Sequence, residues 1–308
     1  MPPGGPAPSG AAHPLRPGAP APRPVTRPGP PPSGRRGWRD LDARVLSVLG
    51  RLTERDRRIC RLLDDHRVLT TPQVADACFT GERRARMRLG ELYALEVLDR
   101  FRPRRSGSAV PFHFVLGPVG AALVAAEHGL DPADLAWRRR LTAELAASQR
   151  LGHLVGVNGF FCSLLRSART RPGCALAEWW SERRCASEWG EVVRPDAYGV
   201  WREGAMSLPF LLEYDNGTER LERLARKLDG YARLARAAGH PNWVLFSFPS
   251  ERREAEAARV LSHPTVPVAT CARTAATTPD GPVWRPVGPT AGNRLRLVDL
   301  AAVVPGRL

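Results

Sequence analysis

The hydrophobic pattern of this chain changes about halfway along from a helical period to a mixed one. Its first half contains short segments in which apolar residues recur every three or four positions, the spacing of an amphipathic helix. Thr53 and Thr71 precede two of these segments and are predicted N-caps, the second because Pro72 follows it in the first turn. The predicted helices cover residues 53–67, 69–79, 82–95, 117–128 and 134–147.

Two apolar runs follow the third predicted helix and flank a loop that contains Gly and Ser. The runs 97–101 and 112–116 are predicted strands, and the loop 102–110 joins them into a hairpin. Three helices followed by a hairpin is the order of a winged helix, in which the third helix enters the major groove of DNA and the hairpin contacts the backbone. The first half therefore predicts a winged helix-turn-helix.

Positive charge agrees with that prediction. The chain carries a net charge of +15, with a sequence pI near 10.9, which suits a polyanionic partner such as nucleic acid. The alternatives are arginine enrichment by codon bias and a winged helix used for protein contacts or dimerisation. Arginines stand at both expected contact points, and the candidate DNA-binding residues are Arg83, Arg84, Arg86, Arg88, Arg102, Arg104 and Arg105.

The second half alternates between helical and strand patterns. Strands separated by helices predict a mixed sheet flanked by helices, so the fold class is α+β or α/β. The predicted helices cover residues 149–168, 176–183, 218–238 and 251–261. The predicted strands cover residues 191–193, 197–201, 207–215, 243–248 and 266–271.

Composition excludes several classes of protein. The six cysteines show no C-x-x-C pair, so neither a zinc motif nor a disulfide framework is indicated. No apolar run approaches the length of a membrane span, and no secretory signal is apparent, so we expect a cytoplasmic protein. Residues 1–37 hold 13 of the 30 prolines and no acid, which predicts a disordered basic tail.

Three carboxylates mark the ends of two predicted strands. Asp196 follows Pro195, and Glu213 and Asp215 end the next apolar run, two residues apart and so on the same strand face. Mg²⁺ and Mn²⁺ prefer such hard oxygen ligands, and either ion could polarise a scissile phosphate. Asp196 and Asp215 also have structural alternatives, since Asp196 suits a turn and Asp215 suits a turn with a helix cap. Glu213 is harder to explain structurally, because a carboxylate after an apolar run is costly if it is buried without a partner.

Lys227 is the only lysine in the chain, against 45 arginines. It lies on the helix predicted after Glu213 and Asp215, one turn before Tyr231, and has no acidic residue one turn away. Arginine cannot supply the chemistry of a lysine, which favours a tertiary role for Lys227. The alternative is a surface lysine that escaped the arginine bias by chance.

The motifs Arg-Pro-Asp-Ala at 194–197, Leu-Glu-Tyr-Asp-Asn-Gly-Thr-Glu at 212–219 and Lys-Leu-x-x-Tyr at 227–231 closely resemble the replication-relaxation family of actinobacterial plasmids and integrative elements. The order of elements also resembles the PD-(D/E)XK, or restriction-endonuclease-like, fold. The resemblance runs from about Arg55 to Phe248. It implies a role in plasmid replication and in DNA relaxation or mobilisation.

Within the PD-(D/E)XK pattern, Asp196 and Glu213 match the acidic metal ligands. The fold expects lysine at position 215, where this chain has Asp215, and Lys227 is then a migrated substitute for that lysine. The resemblance thus implies Asp196, Glu213 and Lys227 as catalytic residues, and Asp196, Glu213 and Asp215 as ligands of Mg²⁺ or Mn²⁺. Glu144 and Glu178 are two candidates for the extra acidic residue that this fold often carries.

The predicted organisation has five parts. They are a disordered tail at 1–37, a winged helix at 38–130, a helical connector at 131–148, a restriction-endonuclease-like domain at 149–271 and an extension of unassigned role at 272–308.

The predicted function is a DNA-binding protein of plasmid or mobile-element replication, relaxation or conjugation, in which metal-dependent nicking is an open question. One alternative is a non-catalytic replication or transfer factor on a decayed nuclease fold. Another is a transcriptional regulator that dimerises through its second domain. The expected partner is double-stranded DNA, with a relaxase or replication proteins and a homodimer as further expectations, and no membrane.

Overall fold

Helices and strands of this chain form a mixed α+β structure in a computed structural model that describes residues 35–103, 110–130, 144–262, 264–274, 277–288 and 292–303. The helices are α1 (Arg35–Leu49), α2 (Glu54–His66), α3 (Thr71–Cys78), α4 (Glu82–Ala94), α5 (Pro118–Glu127), α6 (Leu151–Thr170), α7 (Glu182–Trp189), α8 (Leu221–Ala238), α9 (Glu251–Val260) and a short 3₁₀ helix (Val298–Ala302). The strands are β1 (Leu69–Thr70), β2 (Leu98–Phe101), β3 (His113–Leu116), β4 (Cys174–Ser181), β5 (Ala197–Glu203), β6 (Met206–Tyr214), β7 (Trp243–Phe248), β8 (Val268–Ala272) and β9 (Arg285–Pro286).

The start of α2 confirms the predicted cap. The Thr53 hydroxyl accepts a hydrogen bond from the Asp56 N–H at 3.3 Å, and the Asp56 carboxylate accepts one from the Thr53 N–H at 2.7 Å. This reciprocal capping box satisfies two backbone donors that a helix start leaves free. The prediction for α3 was wrong by one residue, because its cap is Thr70, whose N–H donates to Gln73 Oε1 at 2.9 Å.

A small antiparallel sheet combines β1, which lies between α2 and α3, with the two strands that follow α4. Its strand order is β1-β3-β2, and β2 and β3 pair from Leu98 opposite Leu116 to Phe101 opposite His113. The predicted hairpin is therefore confirmed. Ile59, Leu63 and other buried residues of α1 to α5 form one apolar core with it. Met87 of α4 is apolar but does not contribute to that core, because 62% of its surface is exposed.

The second half folds around a six-stranded mixed sheet of order β4-β5-β6-β7-β8-β9. The β6–β7 and β7–β8 pairs are parallel, and the other pairs are antiparallel. Phe210 and Leu212 of β6 pack with α6 and the 3₁₀ helix, whereas Leu211 packs with α8. Because side chains alternate along a strand, Glu213 shares the α8 face with Leu211.

The predicted helix at 176–183 was wrong, because this segment is strand β4, paired with β5. Trp179 stacks on Phe161 of α6, while its neighbour Trp180 contacts Tyr198. Because both faces of β4 make apolar contacts, its sequence lacks the alternation of apolar and polar residues that identifies a half-exposed strand. Its hydrophobic pattern therefore resembled that of a buried helix. Helix α7 starts only after β4 ends.

The predicted strand at 191–193 was also wrong. These residues form a turn after α7, in which the N–H groups of Val192 and Val193 both donate to the Trp189 carbonyl, at 2.8 and 2.9 Å. The intramolecular turn satisfies the backbone groups that a strand would have offered to the sheet. Of the helix predicted at 134–147, residues 134–143 lie outside the described ranges.

A column of aromatic rings joins α2 to the sheet. His66 stacks on Trp179 with ring centres 3.5 Å apart, Trp179 stacks on Phe161 at 4.9 Å, and Phe161 stacks on Phe210 at 5.9 Å. Burial lowers the pKa of His66 to about 3, so its ring is neutral. Beside this column, the Asn158 side chain donates to the His66 and Val68 carbonyls and so satisfies backbone acceptors at and just after the end of α2.

The described residues belong to one compact unit, within Gly34–Leu308. The boundaries predicted at 131 and 149 stay predictions. In the C-terminal extension, β9 pairs with β8, and Leu297 and Leu300 are buried in the same core as Phe210. In the described part of the chain, no helix is long and apolar enough to cross a membrane.

Candidate functional site

Asp196 is held at the start of β5 by the neighbouring strand. Its N–H donates to the Leu212 carbonyl at 3.1 Å, and its Oδ2 accepts from the Tyr214 N–H at 2.7 Å. Because Ala197 pairs with Leu212, Asp196 lies beside Glu213 at the end of β6. The sequence prediction that paired strands bring these two carboxylates together is confirmed.

Glu213 is the buried centre of the cluster, with only 2% of its side chain exposed. Its Oε2 lies 2.6 Å from Lys227 Nζ, and its Oε1 accepts a short hydrogen bond from the Tyr231 hydroxyl. Lys227 also lies 3.5 Å from Glu219. The lysine therefore has the tertiary role that its sequence context favoured.

The pKa values of both members of the pair are raised, for different reasons. Burial first, and the charge of Asp196 second, raise the pKa of Glu213 to about 7, against the lowering effect of Lys227. Burial alone would lower the pKa of Lys227, but Glu213 and the other nearby carboxylates raise it above its usual value. The geometry supports an ionised pair near neutral pH, because both oxygens of Glu213 accept from donors that favour a carboxylate.

His153 of α6 is a further partner of Asp196 that no sequence motif indicated. Its Nε2 lies 3.0 Å from Asp196 Oδ1, and its ring meets Tyr214 edge-on. Burial lowers the pKa of His153, but hydrogen bonding and charge from Asp196 outweigh it, so the net pKa is raised. Gly156 makes this approach possible, because a Cβ there would lie 2.4 Å from the Tyr214 ring.

Asp215 shares the strand face of Glu213 but has a different set of partners. Its Oδ2 lies 2.8 Å from Arg253 Nε, and its Oδ1 accepts from the Gly217 N–H at 2.9 Å. Arg273 donates to the Asp215 carbonyl at 2.6 Å and lies over the Tyr214 ring. Asp215 therefore holds the loop after β6 in place, as its turn-forming alternative anticipated.

The three carboxylates, as placed, do not fit a divalent cation. Both oxygens of Asp196, Glu213 and Asp215 already accept from protein donors, three of which are the cationic or imidazole groups of Lys227, Arg253 and His153. Among the described residues, no group of three or more His, Cys, Asp and Glu side chains is arranged to hold a metal ion. An Mg²⁺ or Mn²⁺ ion bound here would lie close to the positive charges of Lys227 and Arg253, which already pair with Glu213 and Asp215.

The two candidates for an additional acid lie on different elements. Glu178 stands opposite Val200 in the middle of the β4–β5 pair, and its carboxylate accepts from Trp180 Nε1 at 3.0 Å. Glu144 lines a cavity of about 600 Å³ that His153 also lines. Neither residue belongs to the hydrogen-bonded cluster around Glu213 in the described structure.

The predicted DNA-binding arginines of α4 divide into two groups. Arg83, Arg84 and Arg86 are exposed, and Arg86 forms a surface ion pair with Glu82 at 2.9 Å. Arg88 instead points to the protein interior, where it lies 2.8 Å from the buried Asp56. Because Arg88 is already paired with Asp56 in the folded protein, it makes a structural contact with α2.

The hairpin carries arginines against aromatic rings. The guanidinium of Arg100 lies 4.2 Å from the Tyr93 ring centre and 4.1 Å from that of Phe112, and Arg102 lies 3.8 Å from that of Phe112. These cation–π contacts orient the two charges at the base of the predicted wing. Arg104 and Arg105 lie outside the described residues.

Tyr231 was not among the predicted site residues, although its spacing from Lys227 held a signal. It stands one helical turn after Lys227, so both side chains reach the same partner, Glu213. His153 had no comparable signal, because its contact joins α6 to β5 over a separation of 43 positions.

A model of the replication-relaxation family matches residues 60–243, which is more than half of the chain. The matched range begins in α2, ends at the start of β7 and includes Asp196, Glu213 and Lys227. Comparisons with curated proteins and with solved structures gave no match. The three motifs that resemble this family also form the hydrogen-bonded cluster around Glu213. With the match of the family model, this shows that the chain belongs to the replication-relaxation family.

Proposed function

We propose that this protein is a non-catalytic, duplex-DNA-binding factor of plasmid or mobile-element replication and relaxation. In this proposal α2, α3, α4 and the β2–β3 hairpin form a winged helix, and α4 docks in the major groove. The second half is a restriction-endonuclease-like scaffold whose acidic cluster stabilises the fold.

The observation that carries the proposal is the exposed, uncompensated charge at the start of α4. Among the described residues, Arg83 and Arg84 have no carboxylate within ion-pair distance, although the chain contains 31 acidic residues. Guanidinium groups at a helix start that follows a turn suit contacts to DNA phosphates and base edges. The arginines stacked on Tyr93 and Phe112 add a second point of contact at the hairpin.

The first test measures binding of a labelled DNA duplex by fluorescence anisotropy. Replacing both Arg83 and Arg84 with alanine is expected to reduce affinity at least about tenfold, because a hydrogen bond to a charged group contributes about 1.5–3 kcal/mol. The matched control is the double variant R252A/R259A, which removes two exposed charges from α9 on the other half of the molecule. Equal affinities for the two double variants would contradict docking through α4.

The second test asks whether the protein cleaves DNA. With Mg²⁺ or Mn²⁺ present, we expect supercoiled plasmid to stay uncut, since no oxygen of the acidic cluster is free of a protein donor. Wild type is compared with Asp196→Ala and Glu213→Ala, and folding of each variant is checked by circular dichroism. Metal-dependent nicking by wild type that disappears in both folded variants would overturn the non-catalytic proposal and establish a nuclease.

A further inference from the structure

Two arginines of α6, a helix of the sheet-bearing half, contact α3, the helix that precedes α4. Arg166 of α6 lies 3.6 Å from Asp76 of α3, and Arg169 donates to the Ala75 carbonyl of α3 at 3.3 Å. Both arginines are exposed. These contacts place two positive charges beside the helix that precedes α4.

The electrostatic neighbours of Asp76 place this pair near the start of α4. Burial raises the pKa of Asp76, Arg166 and Arg169 lower it, and Glu82 raises it again. Glu82 is the first residue of α4 and precedes Arg83 directly. The two arginines of α6 and the first residue of α4 therefore lie near the same carboxylate.

Helix α2 borders the same region from another direction. Arg55 lies over the ring of Phe79, the residue that ends α3, at 4.8 Å. The Cys78 thiol, whose pKa is raised by burial, is subject to opposing charges from Arg58, Arg169 and Arg55. Among the described residues, Arg55 and Arg58 have no carboxylate within ion-pair distance. Arginines from α2 and α6 thus converge on the end of α3, three residues before α4 begins.

We propose that the DNA-binding surface is composite, and that Arg166 and Arg169 of α6 contact the phosphates of duplex DNA beside the segment in which α4 docks. The proposal rests on the proposed function and extends it to the second half of the molecule. The partner is the DNA backbone, because the surface presents guanidinium groups, which bind phosphates. These groups come from separate helices and do not form a pocket that could hold a base. The aromatic column at Trp179 and the contacts of α3 with α6 hold the two halves in this arrangement.

The test is the salt dependence of duplex binding. Each phosphate contact contributes about 0.9 to the slope of log affinity against log salt, so R166A/R169A is expected to reduce the magnitude of that slope by about 2 and to weaken binding at low salt. The conservative variant R166K/R169K is expected to restore most of the slope, since it keeps both charges. R252A/R259A removes the same number of charges from α9 and is expected to leave the slope unchanged.

The outcomes separate this inference from the proposed function. A slope for R166A/R169A equal to that of R252A/R259A would overturn the composite surface, provided that R83A/R84A still weakens binding. Loss of slope in both alanine and lysine variants, with an altered melting temperature, would show a structural role for Arg166 and Arg169 and would also overturn it. Wild-type binding by R83A/R84A would instead contradict the proposed function itself.

Discussion

Replacing Lys227 with methionine is expected to destabilise the fold by about 3–5 kcal/mol, the typical cost of leaving one partner of a buried ion pair alone. Glu213 has 2% of its side chain exposed, and Lys227 28%. Without the lysine, Glu213 would keep only the Tyr231 hydroxyl as a donor while facing the charge of Asp196. The measurement is the free energy of unfolding from urea denaturation.

The double variant K227M/E213Q is expected to recover most of that loss. A neutral amide needs no countercharge, and its oxygen still accepts from Tyr231, so no charge is buried without a partner. The neighbouring Arg226→Met is the control, because Arg226 is an exposed cation on the same helix. If K227M/E213Q were no more stable than K227M, the unpaired charge of Glu213 would not be the cause of the destabilisation in K227M.

The Lys227 variant also has an expected pH dependence. The pKa of Glu213 is already raised to about 7 with the lysine present, and removing the lysine raises it further. A carboxyl group whose folded pKa lies above its unfolded value favours the folded state at low pH and loses that contribution as pH rises through the folded pKa. The destabilisation of K227M relative to wild type is therefore expected to be larger above neutral pH than in mild acid.

Replacing Asp56 with alanine is expected to destabilise the fold by a similar amount, about 3–5 kcal/mol. Asp56 is 1% exposed, and its carboxylate accepts from the Thr53 N–H, the Thr53 hydroxyl and Arg88. The change removes the capping box of α2 and leaves Arg88 without its buried partner. Urea denaturation measures the loss, and duplex binding is expected to weaken as well because Arg88 helps to fix α4.

The pH dependence of this site has the opposite sign. Burial raises the pKa of Asp56, but Arg88 and Thr53 outweigh it, and the net pKa is lowered. A lowered folded pKa gives stability that is present above the unfolded value and is lost as pH falls through the folded one. The advantage of wild type over Asp56→Asn is therefore expected at neutral pH and should shrink in acid.

Glu91→Ala is the matched control for Asp56. It also removes a carboxylate partner of Arg88, but one whose side chain is 55% exposed. Exposed ion pairs contribute little, so this variant should remain close to wild type. A loss for Glu91→Ala as large as that for Asp56→Ala would show that burial of the carboxylate is not the cause.

Local signals in the sequence predicted much of the fold. The capping box at Thr53, the helical periods of α2, α4 and α8 and the apolar run of β7 depend on residues within a few positions of one another, so they can be recognised without the tertiary structure. The meeting of Asp196 and Glu213 was also predictable, since two neighbouring strands of opposite direction bring their adjacent ends together.

The sequence by itself determined that Asp196, Glu213 and Lys227 belong to one cluster, and it placed the exposed arginines at the start of α4. Only the tertiary structure decided how each group is used. It showed β4 to be a strand, because its contacts on two faces come from distant elements, and it turned Arg88 inward to Asp56. It also brought His153 to Asp196 and Arg166 to Asp76. Such pairs join residues far apart in the chain, and their geometry follows from the packing of whole helices and strands, which no local pattern of residues encodes.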